Sequence, residues 1–329
     1  MDDVAVPDTP GGIPRLSVRV LTHDYGRFLG TCLQSVLDQT FEDLEVIVID
    51  DASTDDSWAI AQDFASRDPR IRAVRHDTNR GFMGSLLHSA ELARGEYHVQ
   101  LDADDWLLSP DVLTTLVELM DGHPTMAFCF SPYALHDESG SFFYCAEGLG
   151  ADVVLGGELA IGEVMKFVVP HSGTVVRRSS YDAVGGYDPA YPYGPDMRLF
   201  YSLCAVGDVG YVHRPLIGYR VHGSNMSTSA RWSLIFDESV RAVESVFASP
   251  FAERIPDAHR VRRAALRSFL QQHPSKEIFA GHYRSGWRLL MRHARRQPWL
   301  SLVQPNTLVL VARTVLGGRL YARLRGAAP

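Results

Sequence analysis

No two of the four cysteines (Cys32, Cys129, Cys145 and Cys204) form a C-x-x-C pair. Scattered in this way they read as small apolar residues in a reducing compartment, against both a disulfide frame and a zinc site. No run reaches the roughly 18 apolar residues that a spanning helix requires, and the best candidate, TLVLVARTVL, is broken by Arg313. The Met-Asp-Asp-Val start lacks the basic and apolar regions of a secretory signal, so a cytoplasmic protein is expected. No G-x-G-x-x-G follows a strand pattern, which removes a dinucleotide-dependent dehydrogenase. The loop after the first strand pattern, LTHDYGRF, is neither glycine-rich nor basic, which weighs against a sugar-phosphate nucleotidyltransferase.

What is present is an ordinary soluble composition, 46% hydrophobic and 22% charged over 329 residues, enough for one large α/β domain with an appendage. Charge is unevenly spread. The net value is −7, and with nine arginines and no acidic residue after Glu277, residues 1–277 carry −16. An acidic body of this kind repels nucleic acid.

Residues 1–14 are Pro/Gly-rich and aperiodic, a flexible lead-in. Strand and helix patterns then alternate. LSVRVLT (16–22) reads as a strand, and RFLGTCLQSVLDQ places Phe28, Leu29, Cys32, Leu33, Val36 and Leu37 on one helical face. LEVIVID (44–50) is a continuous apolar run, as expected of a strand covered on both faces. A second helix is expected after Ser53 or Thr54 as cap, IRAVRH as a strand, residues 84–93 as a helix and YHVQL as a strand. SPDVLTTLVELM predicts a helix capped by Ser109 with Pro110 in its first turn. Such alternation implies a mainly parallel sheet wrapped by helices. The organisation expected is a strand–helix half over 15–125, a loop-rich half over 126–230 that suits a binding face, and a helical region over 231–329.

The stretch EYHVQLDADDW sets a strand against Asp102, Asp104 and Asp105. In a parallel α/β sheet, ligands bind beyond the carboxyl ends of the strands. Hard oxygen ligands at that position suit Mg²⁺ or Mn²⁺, with Asp102 and Asp104 facing one ion. Asp105 is left as a neighbour of that site or a contact to a sugar hydroxyl. Read alone, the pattern is equally a solvated turn capping the next helix. The second strand ends in VIVIDDASTDD, where Asp51 is placed to accept from a nucleobase N–H while the following helix start attracts phosphate. That stretch, too, is what any capped turn favours.

Three segments together, LSVRVLTHDYGRFLGTCLQSVLDQTFEDLEVIVIDDASTDDS, NRGFMGSLLHSAELARGEYHVQLDADD and VGGYDPAYPYGPDMRLFYSL…GYRVHGSN, resemble a family 2 inverting glycosyltransferase of GT-A fold from about Leu16 to Asn225. The resemblance implies a nucleoside-diphosphate sugar held by Thr22, Tyr25 and Asp51, and its diphosphate held by Asp102 and Asp104 through Mn²⁺ or Mg²⁺. His222, in the YRVH pattern after Arg220, completes the metal shell or touches diphosphate. Asp196 inherits the general-base position, with Pro195 where the family carries an acid. Leu86 and Leu87 stand where the resemblance implies Arg-Asn in many relatives, so either Arg80 approaches the nucleotide from the preceding turn or base recognition differs.

The implied enzyme moves a sugar to an acceptor hydroxyl on a carbohydrate, a lipid-linked intermediate or a small natural product. The alternative is a carbohydrate- or sugar-nucleotide-binding module that does no chemistry. His171 and Ser172 are weaker candidates for the acceptor side, and Trp106, Tyr187, Tyr191 and Tyr193 for stacking on sugar rings. Arg284, Arg288, Arg292 and Arg296 form a helical stripe whose like charges repel unless compensated. An anionic membrane surface, a partner subunit and the chain's own acidic body are the candidates.

Overall fold

The computed structural model describes residues 12–145, 149–165, 169–225 and 232–267, together with Met291. The chain divides into two compact units, Met1–Gly223 and Ser224–Pro329.

The first unit opens with β1 (Leu16–Thr22), α1 (Gly26–Leu37), β2 (Leu44–Asp50), α2 (Ser57–Arg67), β3 (Ile71–Arg75), α3 (Gly81–Leu92) and β4 (Tyr97–Asp102). It continues with β5 (Trp106–Leu107), α4 (Val112–Gly122), β6 (Met126–Phe130), β7 (Tyr133–His136), β8 (Phe142–Cys145), β9 (Val153–Leu155) and α5 (Gly157–Val164). The last elements are β10 (Val175–Arg177), α6 (Arg178–Ala183), α7 (Pro195–Leu203), β11 (Asp208–Tyr211) and β12 (Ile217–Arg220).

Eight strands form one mixed sheet in the order β3-β2-β1-β4-β10-β6-β11-β9. β1, β2, β3 and β4 are mutually parallel where they pair, and β10 runs antiparallel between β4 and β6. A smaller sheet, β5-β12-β7-β8, stands beside it. The whole is an α/β fold with a mixed, partly parallel sheet flanked by helices, as the alternation of patterns predicts.

One face of the large sheet is apolar. Val18, Val20, Val46, Val48, Val99 and Leu101 pack there with Leu29, Leu33 and Val36 of α1 and Leu113 and Leu116 of α4. The i, i+3, i+4 spacing in α1 turns that set to the sheet, and each fully buried Leu or Val side chain stabilises by about 1.5–3 kcal/mol. The opposite face is unexpectedly polar for a central strand. Arg19 of β1 is 2% exposed, and its register partner on β4 is Gln100. Among the described residues no hydrogen-bond partner reaches Arg19 Nε or Nη1, either ring nitrogen of His98, or the side-chain amide of Gln100.

Two helix starts differ from expectation. α2 begins at Ser57, not after Ser53 or Thr54, because Asp24 of the preceding loop accepts the Thr54 N–H at 2.7 Å and the Asp55 N–H at 3.3 Å. Asp55 Oδ1 then accepts the Ser57 N–H at 2.9 Å. α4 begins at Val112 rather than at Pro110, since the Pro110 carbonyl is taken by the Thr40 N–H at 2.8 Å and Ser109 Oγ bonds Asp111.

In the second unit, α8 (Trp232–Phe247) is followed by a 3₁₀ turn over Pro250–Arg254 and a helix over 258–267. Arg262 grips Glu244 through both Nε and Nη2, at 2.8 and 2.6 Å. The arginine stripe over 284–296 and the helical segment expected over 306–324 lie outside the described residues.

Candidate active site

Register assembles the site before any side chain is considered. β1 pairs with β2 so that Thr22 lies beside Asp50, and with β4 so that Leu21 lies beside Asp102. Three strands therefore end at one level, and the loops that follow them share a crevice. Two of those loops hold non-glycine residues in the left-handed region, Asp24 (φ 59) and Ala52 (φ 58). That backbone is uncommon outside glycine and concentrates at ligand-binding turns.

In the second loop, Asp50 is fully buried, its Oδ1 accepting the Ser53 N–H at 3.1 Å with Arg75 Nε at 3.4 Å. Asp51 is held from the far side: its Oδ1 takes His76 Nδ1 at 2.6 Å and the Arg80 backbone N–H at 2.8 Å. The Asp51 N–H donates to the Thr22 carbonyl at 2.9 Å, and Thr22 Oγ1 donates to Ser57 Oγ at 3.4 Å. Arg80 thus meets Asp51 through its backbone, while its side chain is exposed. Leu86 is wholly buried in the helix layer and serves packing.

The aspartate turn closes on itself, with the Asp105 N–H donating to the Asp102 carbonyl at 2.9 Å. Asp104 Oδ2 lies 2.9 Å from His222 Nε2. Asp105 is buried, its Oδ1 accepting the Arg220 N–H at 3.1 Å, which ties the turn to β12. The guanidinium of Arg220 donates from Nε to the Asp104 carbonyl at 3.1 Å and from Nη1 to the Glu138 carbonyl at 3.0 Å. It lies 4.7 Å from the Phe28 ring and 4.6 Å from Trp106. Tyr25 meets His222 edge-on at 5.5 Å, and Phe28 meets it at 5.0 Å. Trp106 is therefore committed to the arginine and to His136, 4.6 Å away.

Burial pushes the Asp102 carboxyl up to about 7, and the charges of Asp104 and Asp196 push the same way. Burial also raises Asp105 well above the carboxylate range, with Asp104 and Asp102 adding to it. The charge of Asp196, from a segment nearly a hundred residues on, thus bears on the aspartate turn. Asp196 occupies the first turn of α7, where Pro195 presets the backbone and the helix dipole favours an anion. Beneath it, Tyr187 is buried, with its hydroxyl 2.9 Å from His171 Nε2 and accepting from Arg19 Nη2 at 3.3 Å. Ser172 Oγ accepts the Asp102 N–H at 3.2 Å. Tyr191 is buried beside Arg198, 5.9 Å away, and Tyr193 is half-buried.

Among the described residues no three His, Cys, Asp or Glu side chains converge as a closed metal cage. An ion that keeps water and substrate phosphates needs only one or two protein groups, and the adjacent Asp104 carboxylate and His222 imidazole are a donor set of that size. His76 carried no motif and was missed from sequence; its partner Asp51 is 25 residues away.

The sequence profile described as glycosyl transferase family 2 matches residues 17–156. This segment is a family 2 glycosyltransferase domain. A glycosyltransferase of Haemophilus influenzae is 26% identical over 222 residues, which cover 65% of this chain and 68% of that protein. Chondroitin synthase of Escherichia coli is 24% identical over 215 residues, 65% of this chain but 30% of the synthase. The chain thus spans about a third of that larger relative. Among solved structures, S. aureus TarS 1–349 in complex with UDP-GlcNAc superposes with a TM-score of 0.70 at 15% identity, over 95% of this chain and 92% of that one. The mannosyltransferase PcManGT of Pyrobaculum calidifontis, in complex with GDP-Man and Mn²⁺, gives 0.53 at 18% identity over 93% and 88%. These likenesses establish the GT-A fold. No helix among the described residues is long and apolar enough to cross a membrane.

Proposed function

We propose that this family 2 glycosyltransferase is a divalent-metal-dependent, inverting enzyme that moves a sugar from a nucleoside diphosphate to an acceptor hydroxyl. The observation that supports the reading is that the charges of Asp104 and of Asp196 both bear on the carboxyl of Asp102, because donor-binding and base candidates must lie on either side of the reacting carbon. In this reading residues 15–125 form the donor half and residues 126–230 the acceptor half.

Thr22, Tyr25, Asp51 and the Arg80 backbone line the nucleotide side. Asp104 and His222, with Asp102 beside them, would hold Mn²⁺ or Mg²⁺, which supplies charge neutralisation for the departing diphosphate. Asp196 accepts the acceptor's hydroxyl proton as the new carbon–oxygen bond forms and the bond to the diphosphate breaks. Such base assistance is worth roughly 10²–10⁴-fold. Attack from the face opposite the leaving group inverts the anomeric centre. Arg220 keeps the aspartate turn in place through its contacts to Asp104 and Asp105.

The acceptor class favoured is a carbohydrate, on the strength of a relative described as a chondroitin synthase. The decisive experiment incubates the protein with UDP- and GDP-sugars, Mn²⁺ and a panel of saccharide acceptors, and follows nucleotide release and product configuration by NMR. Expected are metal-dependent release and an inverted anomeric centre. Retention of configuration, or undiminished turnover after chelation, overturns the reading.

A further inference from the structure

The exit of β3 carries a hydrogen-bonded chain that no sequence motif marks. His76 is 2% exposed and joins Asp51 Oδ1 to a second imidazole, with His76 Nε2 at 2.8 Å from His88 Nδ1. The two rings stack with centroids 5.1 Å apart. Chemistry restricts where the protons sit. A carboxylate oxygen only accepts, so His76 Nδ1 carries a hydrogen. Across the 2.8 Å contact one nitrogen donates and the other accepts, so the pair holds at most one positive charge while that bond survives.

The consequence falls on Asp51. His76 and the Arg80 N–H both take Oδ1, and among the described residues no donor takes Oδ2. A carboxylate gripped through one oxygen from two directions cannot turn, and its other oxygen is left for a ligand. We propose that His76 and His88 are positioning residues for the donor base, fixing Asp51 so that Oδ2 accepts from an imino N–H on the base's pairing edge. The base is then of the class that carries such a hydrogen, uracil, thymine or guanine, whereas cytosine and adenine present a lone pair there. This inference rests on the reading that Asp51 contacts the nucleobase.

The surroundings keep the chain from charging. Burial lowers the His88 pKa, and the neighbouring charges of His76, Arg80 and Arg72 lower it further against an opposing contribution from Glu91. Arg75, on the adjacent strand end, faces Asp50 rather than the imidazoles.

The test is calorimetric binding of UDP, GDP and CDP, with Mn²⁺, to wild type and to Asp51→Asn, His76→Leu, His76→Asn and His88→Leu, at about pH 7.5 and about pH 5.5. The readout is the ratio of affinity for the preferred imino base to that for CDP, which a general loss of structure does not alter selectively. Wild type is expected to favour UDP or GDP over CDP at both pH values, because the lowered His88 pKa keeps the pair from taking a second charge. His76→Leu and His88→Leu should reduce the ratio about tenfold at both pH values. His76→Asn, which returns a donor near the Nδ1 position, should restore most of it. If Asp51→Asn leaves the ratio unchanged, the base-contact reading itself is lost. If Asp51→Asn abolishes the preference while both leucine variants keep it at both pH values, the positioning role is overturned. His88 is half-buried, so its variant supplies the answer if His76→Leu fails to fold.

Discussion

His222 Nε2 lies 2.9 Å from Asp104 Oδ2, with the histidine side chain fully buried and the carboxylate 14% exposed. One partner is locked among aromatic rings and the other faces the crevice, an arrangement suited to presenting a nitrogen and an oxygen to one ion. His222→Ala and Asp104→Asn are each expected to remove the melting shift that Mn²⁺ and a nucleoside diphosphate produce together. At a ligand concentration about 100 times its Kd that shift corresponds to about 2.7 kcal/mol. Thermal melts with and without Mn²⁺ check it. An undiminished shift in both variants places the metal elsewhere.

Asp196 is half-buried in the first turn of α7 and interacts electrostatically with Asp102 and Tyr187. Asp196→Asn keeps the size and the helix position while removing the proton acceptor. Turnover is expected to fall roughly 10²–10⁴-fold with donor affinity changed less than about threefold. Single-turnover transfer and calorimetry on the same preparation separate the two quantities. Equal loss in both would make Asp196 a donor-site residue.

Much of the fold of residues 16–102 is legible in the sequence alone. The continuous apolar runs LSVRVLT and LEVIVID became β1 and β2 residue for residue, because a strand covered on both faces needs no alternation and is bounded by where the apolar run stops. The aspartate turn fell at a strand end for the same reason. The start of α2 differs from expectation because Asp24, a residue from another loop, captures the Thr54 and Asp55 N–H groups that a local cap would have used. His76 and Arg19 were invisible since their meaning lies in partners distant in sequence, Asp51 for one and Tyr187 for the other. Composition tells a strand to be buried; it does not say that a buried strand face will be polar.

Gly218 of β12 sits against the indole of Trp106, and a Cβ there would collide with the ring, its Cζ2 being 2.6 Å away. The same indole supports Arg220, which holds the backbone of Asp104. Gly218→Ala is therefore expected to cost about 1–3 kcal/mol of stability and to weaken nucleotide binding as the aspartate turn shifts. Gly30, inside α1 with nothing within 4 Å of an added Cβ, is the contrast. Gly30→Ala should stabilise by about 0.5–1 kcal/mol and leave binding untouched. Urea midpoints and calorimetry on the two variants check both halves of the expectation.

His98 lies on the polar face of β4, 2% exposed, with its pKa lowered from 6.5 to about 3 by burial and then by the charges of Arg19 and Arg178. The folded protein therefore keeps this ring neutral where an unfolded chain would protonate it. Above about pH 6.5 both states are neutral and the residue adds no pH dependence. As the pH falls below that value the unfolded state gains a proton that the folded state refuses, so stability drops by up to about 1.4 kcal/mol per pH unit from this group. His98→Asn removes the titration while keeping a polar side chain of similar reach. Urea unfolding at about pH 7, 6 and 5 should give a shallower decline in the variant than in wild type, with the two curves parallel above about pH 6.5. Parallel curves throughout would mean that His98 is protonated in the folded state, which two cations nearby and a buried sheet face both oppose.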